Sequence, residues 1–256
     1  MKDERLFYQA YESFYQMAED SVAFSQYCTA AFGEDFSQDG FGDCSQLRFF
    51  FEKAPVFPGA KVLDIGCGNG KLLAFLQREF GAEGYGFDYS RNAIHSARQR
   101  LSQPENFQVF TMEEADYPSA SFDRITSLDS IYFAQDMEAL VRRIYGWLKP
   151  GGFFLCAYQE GDVMPKTLDF STTALAQAFR NIRLPYSVWD ITDLSYQTLI
   201  RKRQVILAMR ENFAREGRQD WFDLILHQTD PALLPYEEYQ KQNARYFYLL
   251  EKAKAD

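Results

Sequence analysis

Short apolar runs alternate with amphipathic stretches through the middle of the chain. Five runs bounded by glycine, proline or polar turns are typical of buried strands; they lie at 61–65, 84–88, 107–110, 123–128 and 152–158. Between them, apolar residues recur at helical spacing at 71–80, 93–101 and 137–148. Strands that alternate with helices in this way predict βαβ units and a mostly parallel sheet with helices on both faces.

Helical patterns flank this central region. Before it, the sequence predicts helices at 4–17, 20–32 and 42–54. After it, the sequence predicts a sixth strand at 187–192 and a last strand at 245–253. More than fifty residues between two strands is far beyond a usual loop. The insertion at 193–244 is therefore predicted to be a structural unit, interpreted as a helical lid.

The predicted elements divide the chain into four parts. These are an N-terminal helical cap at 1–56, an α/β core at 57–192, the lid insertion at 193–244, and the last strand with the C-terminus at 245–256. Aromatic residues recur at helical spacing in the first helix: Phe7, Tyr8, Tyr11, Phe14 and Tyr15. This face either packs against the core or covers a pocket.

Composition and charge restrict the partners. The net charge is -9, and the densest basic stretch, 200–204, is short, which disfavours nucleic acid as a partner. Four scattered cysteines and two histidines show no metal-ligand spacing, so no metal site is predicted. The N-terminus has no apolar targeting segment, and no apolar stretch reaches membrane length. These features predict a cytoplasmic protein that does not bind membranes.

The stretch KVLDIGCGNGKLLAFL, residues 61–76, carries the most specific signal. An apolar strand is followed by Gly66, Gly68 and Gly70, and then by an amphipathic helix. The dinucleotide fingerprint G-x-G-x-x-G requires a glycine where the helix packs on the strand, and that position here is Lys71. A bulky lysine at this position disfavours a hydride-transfer site.

The string VLDIGCGNG, with Asp64 two residues before the first glycine, resembles motif I of class I S-adenosylmethionine-dependent methyltransferases. The resemblance implies a doubly wound, mostly parallel, seven-stranded Rossmann-like α/β sheet, with N-terminal helices and a helical lid inserted before the last strand. It also implies S-adenosyl-L-methionine as the cofactor and S-adenosyl-L-homocysteine as the product. The cofactor is expected against Asp64 and the turn that follows: Gly66, Cys67, Gly68, Asn69 and Gly70.

Two further stretches extend the resemblance. GYGFDYS puts Asp88, followed by Tyr89, at the end of the second strand, where a carboxylate of the family binds the ribose hydroxyls. The alternative is that Asp88 caps the next helix. TMEEADYPSASFDRI resembles the segment that holds adenine, so Met112 is expected to pack on the ring and Glu113 to meet the exocyclic amine. A simple polar loop is the alternative there.

The run SLDSIYF follows the fourth strand, where the methyl group is expected to point. Asp129 could contact the cofactor, stabilise a cationic amine or accept its proton, or it could cap the following turn. Tyr132 and Tyr158 complete the predicted catalytic set, because aromatic faces attract ammonium and sulfonium cations by ~0.5–2 kcal/mol each. The predicted substrate contacts are Tyr11, Tyr15, Gln38 and Phe133.

The segment AFGEDFSQDGF is similar to the one that precedes motif I in phosphoethanolamine and related amine N-methyltransferases. This likeness implies that Ser37, Gln38 and Gly40 close the site over the methionine part of the cofactor, and that Tyr158 contacts the substrate. The chain departs from that branch at Phe133, where those enzymes have a histidine. The lid stretch YEEYQKQNAR also lacks the lysines and arginines that hold a phosphate, which favours an amine without a phosphate.

The predicted function is methyl transfer from S-adenosylmethionine to a small molecule, with an amine nitrogen as the acceptor. Methyl transfer to oxygen or carbon of a small metabolite is the alternative within the class, because the scaffold serves several acceptor atoms. A non-catalytic sensor or partner subunit that binds S-adenosylmethionine is the alternative from another class. The acidic charge weakly favours a cationic acceptor, and both a monomer and a homodimer remain open.

Overall fold

Seven strands form one sheet in the computed structural model, which describes residues 7–37, 40, 42–161 and 163–254. The strands are β1 (Lys61–Ile65), β2 (Glu83–Asp88), β3 (Phe107–Val109), β4 (Phe122–Leu128), β5 (Leu148–Glu160), β6 (Ser187–Asp190) and β7 (Ala244–Glu251). All the strands predicted from the sequence are present.

The sheet is doubly wound, with the strand order β3-β2-β1-β4-β5-β7-β6. β1 pairs in parallel with both β2 and β4, so the winding direction changes between β1 and β4. Only β7 runs antiparallel, and it lies between β5 and β6. The predicted fold class is thus confirmed. At such a switch point the crossover helices lie on opposite faces, and a crevice opens at the carboxyl ends of the strands.

Helices cover both faces of the sheet. In chain order they are α1 (Tyr8–Asp20), α2 (Val22–Phe32), α3 (Cys44–Lys53), α4 (Lys71–Phe80), α5 (Arg91–Arg100), α6 (Met137–Trp147), α7 (Ala174–Asn181), α8 (Thr192–Ala208), α9 (Arg210–Arg215), α10 (Gln219–Gln228) and α11 (Tyr236–Gln242). One buried layer holds α3, α4 and α5 against the sheet, and a second layer holds α6 and α7 against the other face. None of the helices described is both long and apolar enough to cross a bilayer.

Two features differ from the sequence-based expectation. No element is predicted between 158 and 187, where α7 lies, and β5 begins at Leu148 rather than at 152. The reason is tertiary, because Leu148 pairs with Phe122 of β4, ahead of a register shift in that ladder. α7 in turn buries its apolar face on the same side of the sheet. Neither pairing is visible in the local pattern.

The insertion packs on the N-terminal helices. Its helices α8, α9 and α10 contribute Ile206, Phe213, Phe222 and Ile225 to a buried cluster that also contains residues of α1 and α2. This cluster is separate from the two layers on the sheet. The cap and the insertion therefore share one small hydrophobic core beside the sheet.

Candidate active site

A cavity of about 540 Å³ opens at the carboxyl ends of β1, β2 and β4. Small-molecule sites typically measure roughly 300–1,000 Å³. The cavity brings together most of the residues singled out from the sequence: Tyr11, Tyr15, Ser37, Gly40, Asp64, Gly66, Cys67, Gly68, Asn69, Asp88, Tyr89, Met112, Glu113, Asp129, Tyr132 and Phe133. Gln38 lies outside the described residues. Gly70 and Tyr158 are not among the described residues that line the cavity.

Main-chain hydrogen bonds hold the glycine turn after β1. The N–H groups of Gly66 and Cys67 both donate to the Phe87 carbonyl oxygen, at 2.9 and 3.0 Å. Gly66 has a φ of 73°, and a methyl group on it would lie 2.6 Å from the Ser130 Cβ. A side chain there is excluded by the backbone conformation and by the loop after β4. Bare backbone therefore faces the cavity at this point.

Two residues of the turn also pack against neighbouring elements. A methyl group on Gly70 would lie 3.0 Å from the Ala97 Cβ and 3.0 Å from Leu101 Cδ1, so this glycine allows α5 to pack closely. The Cys67 side chain points toward β2, because a methyl group on Gly86 would lie 2.7 Å from its sulfur. Burial raises the pKa of the Cys67 thiol well above its usual range. Gly70 thus allows close packing of the helix, while Cys67 lines the cavity with its sulfur close to β2.

Two buried carboxylates face the cavity. Asp64 accepts a hydrogen bond from Thr126 Oγ1 at 2.7 Å, and Asp88 accepts from the N–H groups of Gly68 and Ser90 at 3.0 and 2.8 Å. Ser90 caps α5, so Asp88 is not the cap. Burial raises the pKa of Asp64 to about 7 and that of Asp88 to about 6, although these hydrogen bonds offset part of the effect. Both carboxylates therefore favour a ligand that donates hydrogen bonds to them.

The stretch expected to hold adenine is braced by α6. Arg143 donates to the carbonyl oxygens of Met112 and Ala115, at 2.7 and 2.6 Å. Met112 is buried and adds apolar surface to the cavity wall. The Glu113 carboxylate accepts a hydrogen bond from the Gln135 N–H at 2.8 Å. The stretch thus forms a braced wall of the cavity with one apolar and one acidic side chain.

An arginine that the sequence analysis did not single out lies near Asp129. Arg245, at the start of β7, is fully buried and lines the cavity. Its Nη1 and Nη2 atoms donate to Asp129 Oδ1 and Oδ2 at 2.5 and 2.9 Å, a bidentate pair. The sequence holds one signal for it, a charged residue that enters an otherwise apolar strand, but it does not show the partner. Asp129 itself has a left-handed backbone, with a φ of 57°.

Aromatic rings form the wall beside this pair. Tyr132 and Phe133 lie in contact, with ring centroids 5.1 Å apart, and the Tyr11 ring meets Phe133 edge-on at 6.2 Å. We call this part of the cavity, with Asp129, the acceptor end. Tyr158 lies behind it, edge-on to Tyr132 at 5.7 Å and fully buried. Tyr158 is thus not among the described residues that line the cavity, and its catalytic role stays a prediction.

Helix α1 covers the cavity and is tied to the loops beneath it. Glu19 accepts a hydrogen bond from Asn69 Nδ2 at 2.6 Å, and Glu12 accepts one from Ser90 Oγ at 2.5 Å. Tyr15 lies over the glycine turn, because a methyl group on Gly68 would be 2.5 Å from its hydroxyl oxygen. The aromatic face of the first helix thus covers the cavity and also packs against the buried cluster shared with the insertion.

A second cover consists of the described residues Phe36, Ser37, Gly40 and Gly42, which line the cavity wall. We call these four residues the cover segment. The Lys202 ammonium of α8 donates to the Gly40 carbonyl oxygen at 3.2 Å. None of the described residues that line the cavity belongs to the insertion at 193–244. α1 and the cover segment take the place expected for the helical lid, and the insertion supports the cover segment from outside.

Fold and site together define an α/β protein with a nucleotide-cofactor crevice at the switch point of its sheet. A family model described as a methyltransferase domain matches residues 41–200, more than half of the chain. The chain therefore belongs to this methyltransferase family. The predictions of a methyltransferase and of S-adenosylmethionine as its cofactor are confirmed at the level of the family.

Two curated relatives are similar over most of the chain. Phosphoethanolamine N-methyltransferase 1 of Arabidopsis thaliana is 40% identical over 211 residues, which are 76% of this chain and 43% of that protein. Methyltransferase GfsG of Streptomyces halstedii is 31% identical over 191 residues, which are 72% of this chain and 63% of that protein. The chain thus spans less than half the length of the plant relative.

Solved structures share the fold at lower identity. Haemonchus contortus phosphoethanolamine N-methyltransferase 2, in complex with phosphomonomethylethanolamine and S-adenosylhomocysteine, has a TM-score of 0.73 at 21% identity, over 95% of this chain and 60% of that chain. The cyclopropane synthase MmaA2 of Mycobacterium tuberculosis has a TM-score of 0.67 at 16% identity, over 97% of this chain and 100% of that chain. Likeness at this level supports the fold alone.

Proposed function

We propose that this chain transfers a methyl group from S-adenosylmethionine to the nitrogen of a small amine. One observation carries the proposal: a single cavity joins the glycine turn and Asp88 to Asp129, Tyr132 and Phe133. Donor and acceptor can therefore lie side by side under one cover, where alignment alone can contribute ~7–11 kcal/mol to a transfer reaction. The relatives named as amine N-methyltransferases support nitrogen as the acceptor atom.

The glycine end of the cavity fits the cofactor. The backbone of Gly66 and Gly68 can approach it closely, the Asp88 carboxylate can accept hydrogen bonds from two ribose hydroxyls, and Met112 offers apolar surface to adenine. Asp64 is placed to accept from an amino group. When bound, the cofactor supplies a methyl group on a sulfonium, whose sulfur keeps the electron pair of the broken bond while the positive charge passes to the acceptor.

The acceptor end fits a small amine without a phosphate. Tyr11, Tyr132 and Phe133 give it an aromatic wall, which suits a sulfonium and the methylated product. Among the described residues that line the cavity, the only basic side chain is Arg245, and Asp129 holds it in a bidentate pair. A phosphate would have to break that pair. A phosphorylated amine is therefore the poorer acceptor in this proposal.

Cofactor affinity is expected to fall as the pH is lowered. Burial raises the pKa of Asp88 to about 6 from its ordinary value of 3.8, so the free protein holds a proton there at pH 5 that ribose binding must release. Through Asp88 alone, the dissociation constant for S-adenosylhomocysteine should rise about tenfold for each pH unit below 6. Calorimetric titration between pH 5 and pH 8 measures this effect.

Asp88→Asn is the control for that profile. It should bind more weakly at pH 8 and lose the part of the pH dependence that is centred near 6. Asp64, whose pKa is raised to about 7, is tested in the same way with Asp64→Asn. A flat profile in the unmodified protein would mean that neither carboxylate binds the cofactor in its ionised form.

A product screen tests the proposed function itself. The chain is incubated with methyl-labelled S-adenosylmethionine and with small primary and secondary amines, their phosphorylated counterparts, phenols and carboxylic acids. We expect label on nitrogen, with each free amine preferred over its phosphorylated counterpart by about tenfold or more, the cost of breaking the Asp129–Arg245 pair. Label only on oxygen or carbon would contradict the amine proposal. Cofactor binding without transfer to any class would favour the non-catalytic alternative.

A further inference from the structure

The Asp129–Arg245 pair is an unusual feature for the wall of a cavity. The Arg245 side chain is 1% exposed and that of Asp129 is 15% exposed. Placing two charges out of water is costly, and a pair of apolar residues of similar volume is often as stable. Both side chains nevertheless face the acceptor end of the cavity. The pair is therefore better explained by its effect on what binds there than by stability.

The pair is held from both sides. Arg245 Nε donates to Gln46 Oε1 at 3.0 Å, and Arg245 Nη1 also lies 3.4 Å from Gln159 Oε1. On the other side, a methyl group on Gly40 of the cover segment would lie 2.5 Å from Asp129 Oδ2. Each side chain of the pair thus has neighbours that fix its position. The Asp129 carboxylate lines the acceptor end together with the guanidinium that neutralises its charge.

Neutrality changes which form of an amine this end of the cavity can hold. A single buried carboxylate would draw an ammonium, which is the protonated form and has no lone pair to accept a methyl group. With Arg245 bound to both oxygens of Asp129, the net charge of the pair is zero. A carboxylate in such a pair still has lone pairs that can accept an N–H hydrogen bond from an uncharged amine.

We propose that Arg245 is a positioning residue which, through Asp129, selects an acceptor whose nitrogen is uncharged when it binds. This inference rests on the proposed function, because it assumes that the acceptor end receives an amine. It also accounts for product release. Methylation leaves a positive charge on the nitrogen, and the neutral pair offers that charge no counter-ion, so the product is held less tightly than by a free carboxylate.

The experiment measures binding of a cation that cannot react. Tetramethylammonium chloride is titrated calorimetrically into the full chain saturated with S-adenosylhomocysteine, against the same concentration of sodium chloride. Arg245→Gln removes the guanidinium that neutralises Asp129, so Coulombic attraction should raise the affinity for tetramethylammonium by about tenfold or more. If Arg245 had only a structural role, its replacement would weaken tetramethylammonium binding and would not strengthen it. The double variant Asp129→Asn/Arg245→Gln, which restores neutrality, should lose the gain.

Three results decide whether Arg245 controls the charge of the acceptor end. A gain in Arg245→Gln that disappears in the double variant supports the inference. Equal affinity in the unmodified protein and in Arg245→Gln overturns it, because Asp129 then attracts cations despite its partner. If Arg245→Gln does not fold, the charge-balanced double variant decides: affinity within about threefold of the unmodified protein supports the inference, and a loss of about tenfold or more overturns it.

A matched control is Arg203→Gln. Arg203 pairs with Asp230 at 3.0 Å, and neither residue lines the cavity, so no change in tetramethylammonium binding is expected. The measurement needs no methyl transfer. A failure of the charge-selection inference is thus distinguishable from a failure of the proposed function, which the product screen would report.

Discussion

Asp129→Ala is expected to lower the melting temperature by roughly 6–20 °C, because it leaves the Arg245 guanidinium buried without its counter-charge. Loss of one partner of a buried ion pair costs about 3–5 kcal/mol. In the active protein, turnover is expected to fall more than cofactor affinity does, since Asp129 lies at the acceptor end. Thermal melts and calorimetry with S-adenosylhomocysteine measure the two effects.

The double variant Asp129→Ala/Arg245→Met separates stability from catalysis. It removes the Arg245 charge that Asp129→Ala leaves unpaired. Most of the decrease in melting temperature should therefore be reversed, while turnover stays low. Glu211→Ala is the surface control, because the pair of Glu211 with Arg215 is exposed on both sides and is worth about 0.2–1 kcal/mol at most. A melting temperature unchanged in Asp129→Ala would mean that the pair contributes nothing to the fold.

Asp88→Ala is expected to weaken S-adenosylhomocysteine binding by about 100-fold or more. Two hydrogen bonds from ribose hydroxyls to a carboxylate are worth roughly 1.5–3 kcal/mol each, and the buried carboxylate faces the cavity. The fold should persist at a lower melting temperature, because the Gly68 and Ser90 N–H groups lose the acceptor that Asp88 provides. Calorimetry gives the affinity, and circular dichroism checks the fold.

Glu83→Ala is the matched control for this variant. Glu83 lies at the opposite end of the same strand, where it accepts a hydrogen bond from the Tyr85 hydroxyl at 2.5 Å. Its loss should leave cofactor affinity within about twofold of the unmodified protein. Unchanged affinity in Asp88→Ala would remove Asp88 from the ribose role.

The glycine end of the site could be predicted from the sequence because it is built locally. The turn from Gly66 to Asn69 follows directly on β1, and the carboxyl ends of parallel strands meet at one edge of a sheet, which also brings Asp88 there. Strand, turn and side chain are thus fixed by a short stretch of chain. The same reasoning does not apply to Gly70, whose partners Ala97 and Leu101 belong to the next helix.

The acceptor end was only half predicted. Asp129 stands in a recognisable run, but its partner Arg245 is 116 residues further along the chain. Tyr158, which the sequence predicts to face the crevice, is buried edge-on to the Tyr132 ring and is not among the described residues that line the cavity. A strand's pattern shows which residues alternate between its two faces, but it does not show which ring of a neighbouring loop covers them.

By itself the sequence determined the alternation of strands and helices, the doubly wound core, the glycine turn and the family, because each is written in a local period or a short motif. Only the tertiary structure decided the charge of the acceptor end and what covers it. β7 enters the sheet beside β5 and brings Arg245 to Asp129, while α1 and the cover segment close over the cavity in place of the insertion. Strand order and helix packing join residues distant in sequence, and no local pattern records those contacts.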